Sequence, residues 1–185
     1  MQRAFTFRAN GIARVLKTPA GVCLPFIPEE QVAGYQPDIK QYTAIWDTGA
    51  TNSVITQKVV DDLQLKPTGI TEMHHAGGTS MSNVYLVNII LPDNVMVPNI
   101  RVTLAELTDI NTPVDQQSHV LIGMDIITAG DFAVTNNDKK TTLSFKIPSS
   151  REIDFVPEAK EHNVMQTGNR QQRRAFASNK KKGRI

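Results

Sequence analysis

The sequence predicts a mainly β protein, because short apolar stretches separated by turn residues fill most of residues 1–148. Three segments carry this prediction. They are the two strands that flank Asp47, the apolar run 84–91 that ends at a Pro-Asp-Asn turn, and the alternating stretch 100–104. A chain of 185 residues with 40% hydrophobic content can bury one sizeable core. We therefore expect one globular domain followed by a tail.

The strand elements follow one another along the chain. Residues 4–7 (AFTF) and 12–17 (IARVLK) predict a first strand pair, and the prolines at 19, 25, 28 and 37 indicate irregular connections. Residues 42–46 (YTAIW) lead into an Asp-Thr-Gly turn, and Trp46 is expected in the core because its neighbours on that strand are apolar. The stretches FAVT and TTLSFKI flank the turn NNDKK and predict a closing hairpin.

Two short helices are expected. Thr56 can cap the helix QKVVDDLQL, in which Val59, Val60 and Leu63 fall on one stripe. The second helix lies in GMDIITAG, where Asp125 suits the N-terminus of a helix because its charge opposes the positive end of the helix dipole.

Charge separates the tail from the rest of the chain. Residues 1–150 carry a net charge of −3 and residues 151–185 a net charge of +5. From Gly168 onward there are seven basic residues and no acidic one, so we expect a mobile or marginally helical tail. Two interpretations stay open for it, a solvated tail and weak, non-specific contact with nucleic acid through phosphates. With Phe176 as its one aromatic residue, sequence-specific recognition is not expected.

Composition also restricts the environment and the chemistry. The single cysteine, Cys23, cannot form an internal disulfide, and neither a signal-peptide core nor a membrane-spanning run is evident. We therefore expect a cytoplasmic protein that does not bind membranes. His74 and His75 are adjacent and would point to opposite faces of a strand, so no metal site and no cofactor are expected.

The segment AIWDTGATNSVIT, residues 44–56, places one carboxylate in a tight turn between two buried strands. On its own, Asp47 can be a turn residue that accepts backbone N–H groups in an Asx-turn. Two further segments accompany it. HHAGGTSMSNVYLVNI reads as a hairpin with a Gly77-Gly78 turn, and HVLIGMDIITAG reads as a strand, a glycine and a short helix.

In this order the three segments resemble the retropepsins, the retroviral-type aspartic proteases, and the cellular and bacterial branch more than the viral one. Two departures point to that branch: Met124 stands where retroviral members often carry arginine, and Thr51 and Asn52 replace acidic residues. The resemblance covers residues 39–148, with an N-terminal extension of strands (1–38) and the basic tail (149–185) outside it. It implies a closed β-barrel of the acid-protease type with one or two short helices and half an active site per chain.

The resemblance also implies roles for individual residues. Asp47, Thr48 and Gly49 would form the catalytic loop, in which Asp47 holds the attacking water. Substrate would contact Ala50 and the tip of a flap, formed by residues 73–87, at Ala76, Gly77 and Gly78.

Peptide hydrolysis of this type needs two carboxylates that share a proton, and the chain has one Asp-Thr-Gly. We therefore expect a homodimer in which Asp47 meets its copy, acting on extended polypeptides. Asp125 could instead be a second acid in the same chain, although helix capping is the more ordinary role at its position. A catalytically silent domain that dimerises and binds peptides, or a nucleic-acid-associated protein, are the alternative functions.

Overall fold

The computed structural model describes residues 1–26, 36–75, 78–107, 113 and 117–181. The chain divides into two compact units, Met1–Ser150 and Arg151–Ile185. The described strands of the first unit are β1 (Arg3–Arg8), β2 (Leu16–Cys23), β3 (Lys40–Trp46), β4 (Val54–Ile55), β5 (Gly69–His75), β6 (Gly78–Leu91), β7 (Val95–Leu104), β8 (Val120–Ile122), β9 (Asp131–Asn137) and β10 (Lys140–Ile147). Its two described α-helices are α1 (Gln57–Leu63) and α2 (Met124–Ile127), and Pro92–Asn94 form a short 3₁₀ helix.

The larger sheet closes into a ring. Its strand order is β2-β3-β8-β4-β7-β6, β6 pairs back to β2, and β5 pairs with the first half of β6, Gly78–Val84. Closure leaves few unpaired backbone groups around the core, because each ring strand has a neighbour on both sides. The mainly β fold class predicted from the sequence is confirmed, and the ring agrees with the closed sheet expected there.

The N-terminal residues belong to the two sheets. β1 pairs with β10, which also pairs with β9, so that a second sheet has the order β1-β10-β9. The prediction that residues 4–7 pair with residues 12–17 is therefore wrong: β2 begins at Leu16 and pairs with β3 and β6. Local sequence could not reveal this, because the partner of β1 lies more than 130 positions away.

The predicted closing hairpin is confirmed as β9 and β10. Its turn residues, Asp138 and Lys139, have φ of 48° and 59°. This left-handed pair matches the twist of the strands.

An aromatic cluster joins the two sheets. The Trp46 ring of β3 stacks on Phe132 at 5.4 Å between centroids and meets Phe145 edge-on at 5.3 Å. Phe5 lies 5.9 Å from the same ring, and the indole N–H donates to the Thr18 hydroxyl at 2.9 Å. The predicted core position of Trp46 is confirmed, and the residue immediately before Asp47 is thereby fixed by packing and by a hydrogen bond.

Helix α1 packs on the ring through the predicted stripe, in which Val59, Val60 and Leu63 are buried. Thr56 occupies the N-cap position, but its hydroxyl makes no cap bond and instead hydrogen-bonds with His119 Nδ1 at 3.0 Å. Tertiary contact has therefore replaced the local capping bond that the sequence suggested. The helix ends at Leu63, followed by Gln64 with a left-handed φ of 49°.

The second unit contains two helices, α3 (Val156–Thr167) and α4 (Arg170–Lys181). Each has 12 residues, and the second covers most of the stretch from Gly168 onward that the sequence predicts to be a mobile or marginally helical tail. None of the helices in the described ranges is long and apolar enough to cross a membrane.

Replacing Phe145 with alanine tests the joint between the sheets. Phe145 is fully buried in the cluster, so F145A should lower the free energy of unfolding by about 3–5 kcal/mol. Val134→Ala, in the same hairpin but 39% exposed, is the control and should change it by less than about 1 kcal/mol. Urea denaturation measures both, and equal losses would contradict the proposed joint.

Stability should also depend on His119. Burial, and secondarily the charge of Lys58, lower the pKa of this imidazole, while Asp62 acts in the opposite direction. A histidine with a depressed pKa in the folded state binds protons more readily when the protein is unfolded. Its contribution to folding stability is therefore fully present above about pH 6.5, and this contribution is lost as the pH falls below that value. His119→Asn should flatten the fall in melting temperature between pH 7 and pH 5. An unchanged slope would contradict this.

Candidate active site

The Asp-Thr-Gly turn begins where β3 ends. The Asp47 N–H donates to the Ile122 carbonyl of β8 at 3.0 Å, which continues the pairing of β3 with β8. The turn then closes on itself, because Gly49 N–H donates to Asp47 Oδ1 at 2.8 Å and Ala50 N–H to the Asp47 carbonyl at 3.3 Å. The Asx-turn interpretation is thus confirmed.

This turn does not compete with a chemical role for Asp47. Among the described residues, Asp47 Oδ2 accepts no hydrogen bond, and the side chain is partly exposed. One oxygen therefore holds the carboxylate in orientation while the other stays accessible.

Helix α2 supports the loop from behind. The Met124 N–H donates to the Ala50 carbonyl at 2.8 Å, and the Asp125 N–H donates to the Thr51 carbonyl at 3.1 Å. A Cβ atom at Gly123 would lie 2.7 Å from backbone atoms of Asn52, which cannot swing aside as a flexible side chain can. Glycine at this position lets the two segments approach and form both hydrogen bonds.

Ser53 and Asp125 form a second link between the loop and α2, through the Asp125 carboxylate. Ser53 N–H donates to Asp125 Oδ2 at 2.9 Å, and its hydroxyl donates to Oδ1 at 2.7 Å. The Gly123 N–H donates to the same hydroxyl oxygen at 3.0 Å, and the Ser53 carbonyl accepts from Thr103 N–H at 3.1 Å. Every polar group of this fully buried serine is therefore used.

Sequence reasoning missed Ser53. Its partner lies 72 positions away, and a serine at the start of a strand is ordinary. One signal was available. Ser53 lies three residues after the segment DTGA, and Asp125 lies within the segment LIGMDII, so packing these two segments together would bring the two residues close.

The bonds of Asp125 bear on the question of a second acid. Both carboxylate oxygens bond with Ser53, and Oδ1 also accepts the Ile126 N–H at 2.9 Å in the first turn of α2. The carboxylate therefore ties α2 to the loop, whereas the N-cap position of α2 is Gly123 and has no side-chain cap bond.

Strands β5 and β6 form the hairpin predicted as a flap. His75 pairs with Gly78 at its end, and Gly78 is exposed with φ of 121°, a conformation that favours glycine. Ala76 and Gly77, two of the predicted substrate contacts, lie outside the described residues.

The Asp-Thr-Gly turn, the residues after it and the hairpin line a common cavity of about 360 Å³. Ala50 is the predicted substrate contact that lines it, together with Gly49 of the turn. Polar side chains from three segments contribute to the lining: Thr51 and Asn52 after the turn, Thr71 and Glu72 of β5, and Thr103 of β7.

A smaller cavity of about 300 Å³ shares Asn52, Thr71 and Thr103 with the first. Val84 lines it, whereas Ile55 and Ile122 are completely buried in the core. Another cavity, of about 430 Å³, lies between the start of β2 and strands β1 and β10, and none of residues 47–52 lines it.

No group of three or more histidine, cysteine, aspartate or glutamate side chains within the described ranges is placed to hold a metal ion. Cys23 is buried in β2, and burial raises the pKa of its thiol to about 11. A thiol that stays protonated at neutral pH is a poor nucleophile, so Cys23 fills the core.

Comparison with known proteins identifies the class to which this arrangement belongs. The model of the family described as "Aspartyl protease" matches residues 32–126, just over half of the chain. The chain belongs to this family, and the retropepsin-like identification made from the sequence is confirmed.

Solved structures show similarity at low identity. A retropepsin-like aspartic protease from Rickettsia conorii is 11% identical, with 79% of this chain and 95% of that chain covered and a TM-score of 0.46. The simian foamy virus (mac) protease is 16% identical, with 60% and 89% covered and a TM-score of 0.36. A foamy viral protease-reverse transcriptase in complex with RNA/DNA hybrid is 14% identical, with 92% and 18% covered and a TM-score of 0.39. Comparison with curated protein sequences gives no match.

Removing the Ser53 hydroxyl tests the support of the loop. In Ser53→Ala the Gly123 N–H loses its acceptor and Asp125 loses a donor, so the free energy of unfolding should fall by about 1–3 kcal/mol. Thr51→Ala removes an exposed hydroxyl two residues away and should cost less than about 0.5 kcal/mol. Denaturant titration compares them, and a Ser53→Ala protein as stable as Thr51→Ala would refute the proposed support.

Proposed function

We propose that the protein is an aspartic endopeptidase that hydrolyses peptide bonds in extended polypeptides as a homodimer. The observation that carries the proposal is the state of Asp47: in a chain of the aspartyl protease family, one carboxylate oxygen is fixed by the loop and the other stays accessible. Thr48 and Gly49 complete the catalytic loop in this proposal, with Gly49 donating the N–H that orients the acid.

The chemistry explains why two copies are required. One carboxylate must be ionised to take a proton from the attacking water, and a second must be protonated to hydrogen-bond the substrate carbonyl. Like charges a few ångströms apart cannot both ionise cheaply, so the pair shares one proton and titrates as a unit. Since Asp125 is committed to Ser53, the second acid comes from Asp47 of another copy across a two-fold axis.

The hairpin and the cavity beside the loop would hold the substrate. An extended peptide adds to strand edges through its backbone and places alternate side chains in pockets. We assign Ala50 and the flap tip, Ala76, Gly77 and Gly78, as its contacts. Closing such a flap excludes water from the reaction. The polar lining at Asn52, Thr71 and Thr103 supports subsites that accept hydrogen-bonding side chains as well as apolar ones.

Substituting Asp47 is the direct test. Asp47→Asn keeps the size and shape of the side chain but cannot supply the ionised carboxylate. The rate of peptide cleavage should therefore fall by about 10²-fold to 10⁴-fold. Asp138→Asn is the matched control, because Asn tolerates the left-handed turn conformation of Asp138 and the site is untouched. Cleavage of a peptide library between pH 4 and pH 8, read by mass spectrometry, gives the result.

Mixing separates the dimer from a single-chain enzyme. Adding the Asp47→Asn protein to wild type should lower the activity per wild-type chain, because mixed dimers hold one ionisable Asp47. Sedimentation at the assay concentration should show a dimer. If a monomer cleaves peptide, the homodimer proposal is wrong. If the Asp47→Asn substitution leaves cleavage unchanged, the aspartic protease proposal is wrong. A folded dimer that binds peptides without cleaving them would identify the silent alternative.

A further inference from the structure

Helix α4 carries a concentration of positive charge that proteolysis does not use. Its residues include no aspartate or glutamate, and Arg170, Arg173 and Arg174 are all exposed. No ion pair joins these three arginines to an acid within the described ranges. They are therefore unneutralised in the part of the chain that the structure describes.

The helix has a well-defined start. Asn169 Oδ1 accepts the Gln172 N–H at 2.9 Å, and Gln172 Oε1 accepts the Asn169 N–H at 2.8 Å. These reciprocal bonds form a capping box, which satisfies two backbone donors that the helix would otherwise leave unpaired. The capping box fixes the helical register at the residue immediately before the arginines.

In that register the arginines share one face. Residues three and four apart are neighbours on a helix, so Arg170 is followed on the same face by Arg173 and Arg174. At 100° per residue, position 177 returns to this face, and it holds the small residue Ala177. The resulting stripe, residues 170, 173, 174 and 177, occupies an arc of about 100°.

This arrangement is unfavourable for the helix alone. Like charges three and four positions apart repel by roughly 0.2–0.5 kcal/mol per pair, and basic residues in the first turn oppose the helix dipole. Helix stability gives no reason to place three arginines there. A polyanion along the stripe would remove the repulsion, because each phosphate can pair with a guanidinium.

We propose that the α4 stripe binds the phosphate backbone of nucleic acid without sequence specificity. A membrane surface suits the helix poorly, because such helices need a broad apolar face, and the face opposite the stripe holds Gln171, Gln172 and Ala175. Arginine with its forked donors suits phosphate contacts, and the small Ala177 within the stripe allows close approach. The proposal does not depend on the protease activity.

The test uses the full chain with Arg170, Arg173 and Arg174 all replaced by Gln. The matched control replaces the same three by Lys, which keeps the charge, and Asn169 and Gln172 stay in place so that the capping box is retained. Fluorescence anisotropy with a labelled 20-base-pair DNA duplex and a 20-nucleotide single-stranded RNA, at 50 and 200 mM NaCl, measures binding. Circular dichroism checks that each variant keeps its helices.

Wild type and the Lys variant should bind both probes. Each arginine that pairs with a phosphate contributes about 0.9 to the salt slope on a duplex, so the Gln variant should have a slope smaller by about 2.7 in log K against log salt. For wild type, three such arginines correspond to an affinity decrease of about 40-fold between the two salt concentrations.

Three results would overturn the proposal. The first is absence of binding at 50 mM NaCl, and the second is a Gln variant that binds as tightly as wild type. The third is binding to phosphatidylserine vesicles or to polyglutamate of matched charge that equals or exceeds binding to the nucleic acids. That result would assign the stripe to a membrane or to an acidic protein.

Discussion

The site depends on the bond between Ser53 and Asp125. It ties the chain that leaves the Asp-Thr-Gly turn to the first turn of α2, and the N–H groups of Met124 and Asp125 then hold the carbonyls of Ala50 and Thr51. None of these bonds uses Asp47, so the scaffold holds the loop from residues 50 to 53 while the acid stays available. Charge-assisted bonds to a carboxylate are short and strong, which suits a loop that must not move.

Close backbone contact makes that bond possible. The carbonyl of Ala50 and the backbone of Asn52 lie where a side chain at position 123 would stand, so glycine is required for α2 to reach the loop. On the other side of the loop, the Trp46 ring is packed by Phe132 and Phe145 of the second sheet. The acid is thus placed between an aromatic core and a hydrogen-bonded helix end, and the N-terminal and C-terminal strands contribute to holding it.

Local sequence patterns predicted what depends on neighbouring residues. The strands around Asp47, the stripe of α1, the short α2 and the β9–β10 hairpin each have a signature in a dozen residues or fewer. Pairings across long separations were not predictable in this way. Two such contacts, the pairing of β1 with β10 and the bond from Ser53 to Asp125, arise only when the sheet closes. For the same reason the hydroxyl of Thr56 bonds with His119 instead of capping α1. The capping box of α4 is local, and the spacing of Asn169 and Gln172 could have predicted it. The prediction for this segment was based on its high charge instead.

If each chain supplies only half of the active site, as we propose, the loop must position its acid more accurately than in a site formed by one chain. When each chain supplies one carboxylate, the separation of the two acids is set by two copies of the same scaffold, so an error in the loop appears twice. Misplacement by about 1 Å can cost about 10²-fold in rate, since proton sharing and water activation both depend on distance. In the proposed homodimer, the fully bonded Ser53 and the packed Trp46 would reduce that error in each copy. The rigidity of this loop is therefore part of the chemistry of the proposed pair, because the partner's acid cannot correct for it.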